Sequence, residues 1–435
     1  MKKRKAATKD IIKVFLTHVS RYKLSTFFLL SSIVFANVAD VVAPYFYKQF
    51  FDLLSQNQSS ITDAVVASLV FTLFLIFLSR TLSWAGFRTA AFINAWWQPR
   101  IMTDLKETAF KYMLGHSYRF FSNRFTGSLV RRVNRLARSF EDIADQVQWK
   151  FLNIFIAVVG VLIILYLRHP LIAGLLFVWV ITFIVINYMI ARYKLPLDLR
   201  KADADSTATG VLADALTNNM NIKLFSGYLH EMNLFHVVLE KARRLRTRSW
   251  TIGEIADAIQ VILMILIELL LMYLAIGFWR EGILTVGDFA LIQGLLITIF
   301  SRLWDFGRSL RRTYEALADA DEMVDILNTP YEVKDKRRAK PLEVKKGKIE
   351  FKEVYFSYHK TRRVLKNFDL KIKPGEKIAL VGPSGAGKST VINLLFRFFD
   401  VERGKILIDG QKTSDVTQNS LRDNIALVPQ ESILF

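Results

Sequence analysis

Residues 382–390 read Gly382-Pro383-Ser384-Gly385-Ala386-Gly387-Lys388-Ser389-Thr390. Glycines at this spacing let successive backbone N–H groups turn to one side and form a nest for an anion. Upstream, Lys377-Ile378-Ala379-Leu380-Val381 reads as a buried strand; downstream, Val391–Phe399 reads as an apolar helix. Strand, G-x-x-x-x-G-K-[ST] and helix together make a P-loop in its required setting. The chemistry is polyphosphate binding, because the helix also points the positive end of its dipole at the nest. Lys388 is placed to reach the β- and γ-phosphates, and the Ser389 hydroxyl to coordinate Mg²⁺. Gly382, Ser384, Gly385, Ala386, Gly387, Lys388, Ser389 and Thr390 are therefore the candidate residues for ATP and its companion ion.

The loop sits in a soluble α/β region that begins near Lys348. There the hydrophobic period changes to alternation, through Ile349, Phe351, Val354, Phe356 and Tyr358, and Leu370 and Ile372 alternate before the Pro374-Gly375 turn. Everything before it has another character. Six apolar runs, about Leu24–Phe46, Ala64–Trp84, Phe151–Leu167, Leu171–Ile190, Ile255–Trp279 and Val286–Trp304, are of the length that crosses a bilayer. Arg168-His169-Pro170 is a tight turn between the third and fourth. Trp149, Trp250, Trp279 and Trp304 stand at run ends, as interfacial anchors do.

The formal charge of +20 is consistent with this arrangement. Ten Lys/Arg against five acids fall between residues 100 and 150, and ten against six between 192 and 250. Lys2, Lys3, Arg4, Lys5 and Lys9 add to the N-terminus, while Lys48–Asp63 holds one Lys and two Asp. This is the positive-inside pattern and not a nucleic-acid surface, and it puts both termini on the cytosolic side. A hydrophobic fraction of 52% with 23% charge excludes a disordered chain, and the absence of Cys excludes thiolate metal sites, iron–sulfur ligation and Cys nucleophiles. The expected fold is thus a mainly α polytopic membrane domain, six transmembrane helices with long cytosolic extensions, followed by an incomplete α/β P-loop nucleotide-binding domain. The expected boundaries are a basic N-terminus with an elbow helix at 1–23, the membrane domain at 24–328, a linker at 329–347 and the nucleotide-binding part at 348–435.

The basic blocks read as helices that continue past the bilayer. Each pair of extensions meets at an aromatic tip, Tyr118-Arg119-Phe120-Phe121-Ser122-Asn123 with Thr126-Gly127, and Asn221-Ile222-Lys223-Leu224-Phe225-Ser226-Gly227. Exposed Phe at such tips is expected to dock. Polar groups inside the spans are few. Glu268 either lines a cavity that prefers cationic amphiphiles or makes an interhelical hydrogen bond. Asp40 is expected near the outer end of its span, and Arg80, Arg302 and Asp305 near the inner boundary.

Six spans followed by a P-loop domain resemble an ABC transporter of the exporter type, over essentially residues 10–435. The resemblance implies that Tyr358, in Phe356-Ser357-Tyr358, stacks on adenine, and that Gln430, in Val428-Pro429-Gln430-Glu431, contacts Mg²⁺ and the attacking water. With Lys388, Gln430 is the catalytic assignment that the resemblance implies. Phe120–Gly127 and Ile222–Phe225 match the family's coupling helices. The implied activity is ATP-driven export of an amphipathic, lipid-like or drug-like substrate by alternating access of a dimer. The implied partners are a second half-transporter, identical or not, the lipid bilayer, and a small-molecule, lipid or peptide substrate. The implied place is the cell membrane.

The family's signature LSGGQ, catalytic Glu and switch His are absent from these residues, and Asp369, Asp400, Asp409 and Asp423 lie outside any apolar strand that could replace the acidic one. The chain therefore reads as the first part of a longer one, C-terminally truncated and not competent for hydrolysis alone. The alternatives are an ATP-binding but non-hydrolysing half of a heterodimer and an ATP-gated channel.

Overall fold

The computed structural model describes residues 8–57, 61–122, 124–358 and 363–428. Helix α1 (Thr8–Val19) buries Ile11 and Phe15 and leads through a 3-10 turn into α2 (Lys23–Gln56). There follow α3 (Asp63–Leu114), the short α4 (Tyr118–Ser122) and α5 (Thr126–Asp145), which passes through a π-helical turn at Gln146–Phe151 into α6 (Leu152–Arg168). Then come α7 (Pro170–Thr217), α8 (Asn219–Leu224), α9 (Tyr228–Arg280), α10 (Val286–Leu303) and α11 (Phe306–Leu327). Each of the six apolar runs lies in a helical stretch long and apolar enough to cross a membrane, from 42 to 53 residues. At 1.5 Å per residue the longest reach about 80 Å, well beyond a hydrocarbon core of about 30 Å. The protein is a multi-pass membrane protein.

The described chain forms two compact units, one from residues 8–104 and 137–320, the other from 105–136 and 321–428. In the first, small residues allow helices to approach. A Cβ on Gly86 would lie 2.8 Å from that of Ala36, and one on Gly160 would lie 2.9 Å from Val41 Cγ1. Phe183, Leu271, Leu291 and Leu295 are fully buried in its core, while Phe27, Phe71, Phe77, Ile262 and Leu269 face outward as a lipid-facing surface would.

Several polar side chains inside this unit are paired across helices. Asn37 Nδ2 donates to Asn153 Oδ1 at 2.8 Å, joining α2 to α6. Lys48 donates to Asp52 at 2.5 Å and to Thr285 at 3.1 Å, lies 3.5 Å from Asp288, and is 5% exposed. Gly287 N–H donates to Asp52, and Arg168 stands 3.6 Å from Asp288. Asp198, on α7, accepts from Ser249 on α9 at 2.6 Å and from Arg311 on α11 at 2.7 Å.

The expected position of Asp40 near the outer end of its span needs correction. Asp40 accepts from Arg80 at 2.6 Å and from Arg302 at 3.2 Å, so the three share one level. They lie 16 residues from the end of α2, 17 from the start of α3 and 16 from the start of α10. That is about 24–26 Å along each axis. The error came from placing the end of α2 near Phe46, when the helix runs ten residues further to Gln56.

The second unit carries an antiparallel sheet of order β2-β1-β3-β4, where β1 is Ile349–Phe356, β2 Leu365–Ile372, β3 Arg403–Ile408 and β4 Gln411–Lys412. Ile349 faces Ile372 on one side and Ile408 on the other. The ladder is interrupted at Glu353, whose φ is +50°, and Gly404 fits against that bulge. A Cβ on Gly404 would lie 2.3 Å from Glu353 O. Helices α12 (Lys388–Leu395) and α13 (Gln418–Asp423) complete the unit, and Val391 and Leu394 of α12 pack on Phe351, Val354, Phe356 and Ile406. The linker is fixed by Asp409, whose carboxylate accepts four backbone N–H groups, from Lys345 to Lys348. These bonds hold its pKa well below the usual carboxylate range.

One element departs from expectation. Lys377–Val381 forms no regular element and joins no ladder among the described residues, and Val381 is 89% exposed. An apolar strand is buried only when neighbouring strands and covering helices are present, and the described sheet pairs β1 with β2 and β3 instead.

Candidate functional site

The glycine loop joins this segment to α12. Three glycines have left-handed φ: Gly382 at +151°, Gly385 at +83° and Gly387 at +93°. At Gly387, the N-cap of α12, a side chain would also press on Leu365 Cδ2, at 3.1 Å from an ideal Cβ. Only glycine meets both demands. Ala386 N–H bonds Pro383 O at 3.2 Å, which closes the turn. The loop face formed by Gly382, Pro383, Ser384, Gly385 and Ala386 is exposed, and so is Ser389 in the first turn of the helix.

Lys388 folds back over the loop, its Nζ donating to Gly382 O at 2.7 Å and to Pro383 O at 2.9 Å. These carbonyl contacts hold the ammonium at the mouth of the nest. A phosphate oxygen can replace either carbonyl with a charge-assisted bond of greater strength. The exposed nest, the helix N-terminus and the Lys388 ammonium suit a polyphosphate. Ser389 supplies one hard oxygen ligand, as Mg²⁺ sites completed by phosphate and water require.

Two other candidate residues sit differently. Thr390 is buried and turned into the fold, where its hydroxyl accepts from Tyr358 Oη at 3.2 Å. Tyr358 Oη also accepts from Asn393 at 3.2 Å, and its ring stands edge-on to Phe356 at 4.9 Å and to Phe399 at 5.1 Å. The ring thus lies beside the P-loop helix, within the packed cluster. Gln430 lies outside the described residues.

The first aromatic tip does dock within its own unit. Tyr118 stacks on Phe398 with centroids 5.3 Å apart and planes at 22°. Phe120 itself is turned inward, sandwiched between the His116 ring at 4.0 Å and the Arg124 guanidinium at 4.0 Å. The linker closes on the same spot. Tyr112 Oη donates to Thr329 O at 2.7 Å, Ser117 Oγ to Glu332 at 2.7 Å, and Tyr331 packs on both Tyr112 and His116. Burial, and then the neighbouring Arg124 charge, push the His116 pKa down, against an opposing pull from Glu332. The second tip behaves otherwise, with Phe225 83% exposed.

Sequence reasoning overlooked Arg397, which is 3% exposed just past α12 and has a φ of +52°. Its guanidinium bonds Asp400 at 3.0 Å, Asp335 at 3.3 Å, Lys334 O at 2.9 Å and Val416 O at 3.2 Å. It therefore holds the linker to the end of the P-loop helix. A lone Arg between Phe396 and Phe398 was the available signal, since charge inside an aromatic run is either interfacial or buried and paired.

The profile described as ABC transporter transmembrane region matches residues 26–303, and that described as ABC transporter matches residues 365–435. The chain is 28% identical to the iron-sulfur clusters transporter ATM1, mitochondrial, of Debaryomyces hansenii, over 95% of this chain and 60% of that protein. It is 32% identical to an uncharacterized ABC transporter ATP-binding protein of Haemophilus influenzae, over 75% of this chain and 53% of that one. Similarity to the human ATP-binding cassette sub-family B member 6 is 28%, over 91% of this chain and 47% of the relative. The chain therefore spans roughly half the length of these curated relatives. Among solved structures, a bacterial Atm1-family ABC exporter with ATP bound superposes with a TM-score of 0.78 at 26% identity, over 95% of this chain and 73% of that one.

Proposed function

The chain belongs to the ABC transporter family, and from that premise we propose that it is a half-transporter that exports a substrate at the expense of ATP. The observation that carries this reading is the exposed glycine nest at 382–387, capped by Lys388 and attached to six membrane-length helices. The triphosphate sits in the nest, with Lys388 on its outer phosphates. Ser389 would hold Mg²⁺ together with Gln430, which lies outside the described residues, and the ion would supply charge neutralisation at the phosphates. Tyr358 borders the adenine. Thr390 acts from behind, fixing Tyr358 through its hydroxyl. Two such chains, identical or not, act as a dimer in the cell membrane with their termini in the cytosol.

Nucleotide drives transport only through differential affinity. Moving a two-state equilibrium from 1:99 to 99:1 requires about 10⁴-fold tighter binding to one state, about 5.5 kcal/mol. The Tyr118–Phe398 stack supports a mechanical route for that energy, because it attaches a helical tip to residues that directly follow the P-loop helix. Replacing Lys388 with Ala removes the ammonium that caps the nest. In the intact protein, affinity for a fluorescent ATP analogue should fall by about a hundredfold or more, as loss of charged hydrogen bonds to phosphate predicts. Unchanged affinity in Lys388→Ala would contradict the site.

A further inference from the structure

One cavity in the membrane unit has no part in nucleotide handling. It lies between α2, α3 and α10, encloses about 510 Å³, and presents Asp40 and Arg80 together with Gln293, Tyr47 and Phe51. That volume is in the range of small-molecule sites. Pro44 and Gly294 face each other across its floor, where a Cβ on Gly294 would come within 3.2 Å of the proline ring. Charged groups at this depth are expensive unless they are paired or have a function.

The wall itself carries one carboxylate and one guanidinium, but a second guanidinium behind it leaves the three-group cluster with a net positive charge. One carboxylate, Asp40, is shared by two guanidiniums, Arg80 from the cavity wall and Arg302 from behind. The Arg80 side chain remains 53% exposed, whereas Asp40 is 19% exposed and covered by its two partners. Glu268 adds no negative charge to the wall. It is not a lining residue, and it accepts from Gln293 Nε2 at 2.8 Å across the α9–α10 contact. The alternative of a cation site built on Glu268 therefore gives way to the interhelical bond, and the cavity presents a guanidinium with free donors beside apolar rings.

Building on the exporter reading, we propose that this cavity binds an amphiphile with a single anionic head, carboxylate or phosphate, held by Arg80, with its apolar body along Tyr47, Phe51 and Ile297. Arg is suited to such heads because its planar fork pairs both oxygens at once.

The test uses the intact protein in nanodiscs of neutral phosphatidylcholine, with binding of radiolabelled decanoate and of decyltrimethylammonium read after subtraction of empty discs. Decanoate should bind at least about tenfold more tightly than the cation, and Arg80→Gln should remove that advantage. Arg80→Glu should invert the preference, a gain that a misfolded variant cannot imitate. Competition by lysophosphatidate would identify a membrane lipid as the source of the head, and its failure to compete would identify a free organic acid. Equal affinity for the two probes, or decanoate binding indifferent to Arg80→Gln, would overturn the assignment. Binding is read without nucleotide. A protein that discriminates the probes but ignores ATP would contradict the exporter reading alone.

Discussion

Arg397 offers the most direct measure of what holds the linker to the nucleotide-side unit. Substitution by Met keeps the length of the stem and removes every donor. The guanidinium has two carboxylate partners, Asp335 and Asp400, with side chains 36% and 47% exposed, and carbonyl partners at Lys334 and Val416. Because the carboxylates regain water when freed, the full cost of about 3–5 kcal/mol for breaking a buried pair applies only at its lower end. The loss is then about 3 kcal/mol, which converts to roughly a hundredfold in a local opening equilibrium. The reporters are amides that bridge linker and domain: Thr417 N–H to Lys340 O at 3.1 Å, and Leu342 N–H to Ser420 Oγ at 2.9 Å. Hydrogen exchange of peptides containing Leu342 and Thr417 should accelerate about a hundredfold in Arg397→Met, and by about tenfold in Arg397→Lys, which keeps charge but loses the fork. Acceleration of less than about threefold in the Met variant would refute the reasoning, since the buried guanidinium would then contribute no more than a surface ion pair.

Two further outcomes follow from the geometry. Gly404→Ala combines a left-handed φ of +85° with a Cβ 2.3 Å from a backbone oxygen, so it should destabilise the sheet by roughly 3 kcal/mol and speed exchange in Lys352–Phe356 and Arg403–Ile408; unaltered protection there would show that the bulge can shift freely. Because the pKa of His116 is lowered in the folded tip, the open form binds the proton more readily, so stability is full above the unfolded value of about 6.5 and declines as pH falls below it. Exchange of peptides 112–122, corrected for intrinsic rate, should be faster at about pH 5.5 than at about pH 7.5, and His116→Phe should abolish the difference; a wild-type tip indifferent to pH would contradict the burial argument.

How much of this was readable beforehand depends on the range of each interaction. The P-loop was legible because its glycines, Lys388 and the helix they cap are contiguous, so local backbone requirements alone identify it. The six spans were legible because the bilayer imposes length and apolarity on each run separately. Contacts between distant elements were not. Nothing in the neighbourhoods of Asp40, Arg80 and Arg302 tells that they converge, since that depends on helix ends lying beyond the apolar runs. Tyr118 rather than Phe120 became the docking ring because the five-residue α4 turns Phe120 onto His116 and Arg124. Lys377–Val381 has the composition of a central strand, but a strand is defined by its neighbours, and composition does not supply them.

The length of α3 has a mechanical consequence. Its 52 residues form an uninterrupted rod of roughly 78 Å, stiffened along its whole course by backbone bonds except where Pro99 leaves one unmade. A tilt of about 5° about one end swings the other by about 7 Å, as much as the rise of one helical turn and more. Small tilts at one end of this helix are thus magnified at the other by leverage alone, with no need for any segment to melt or refold on the way.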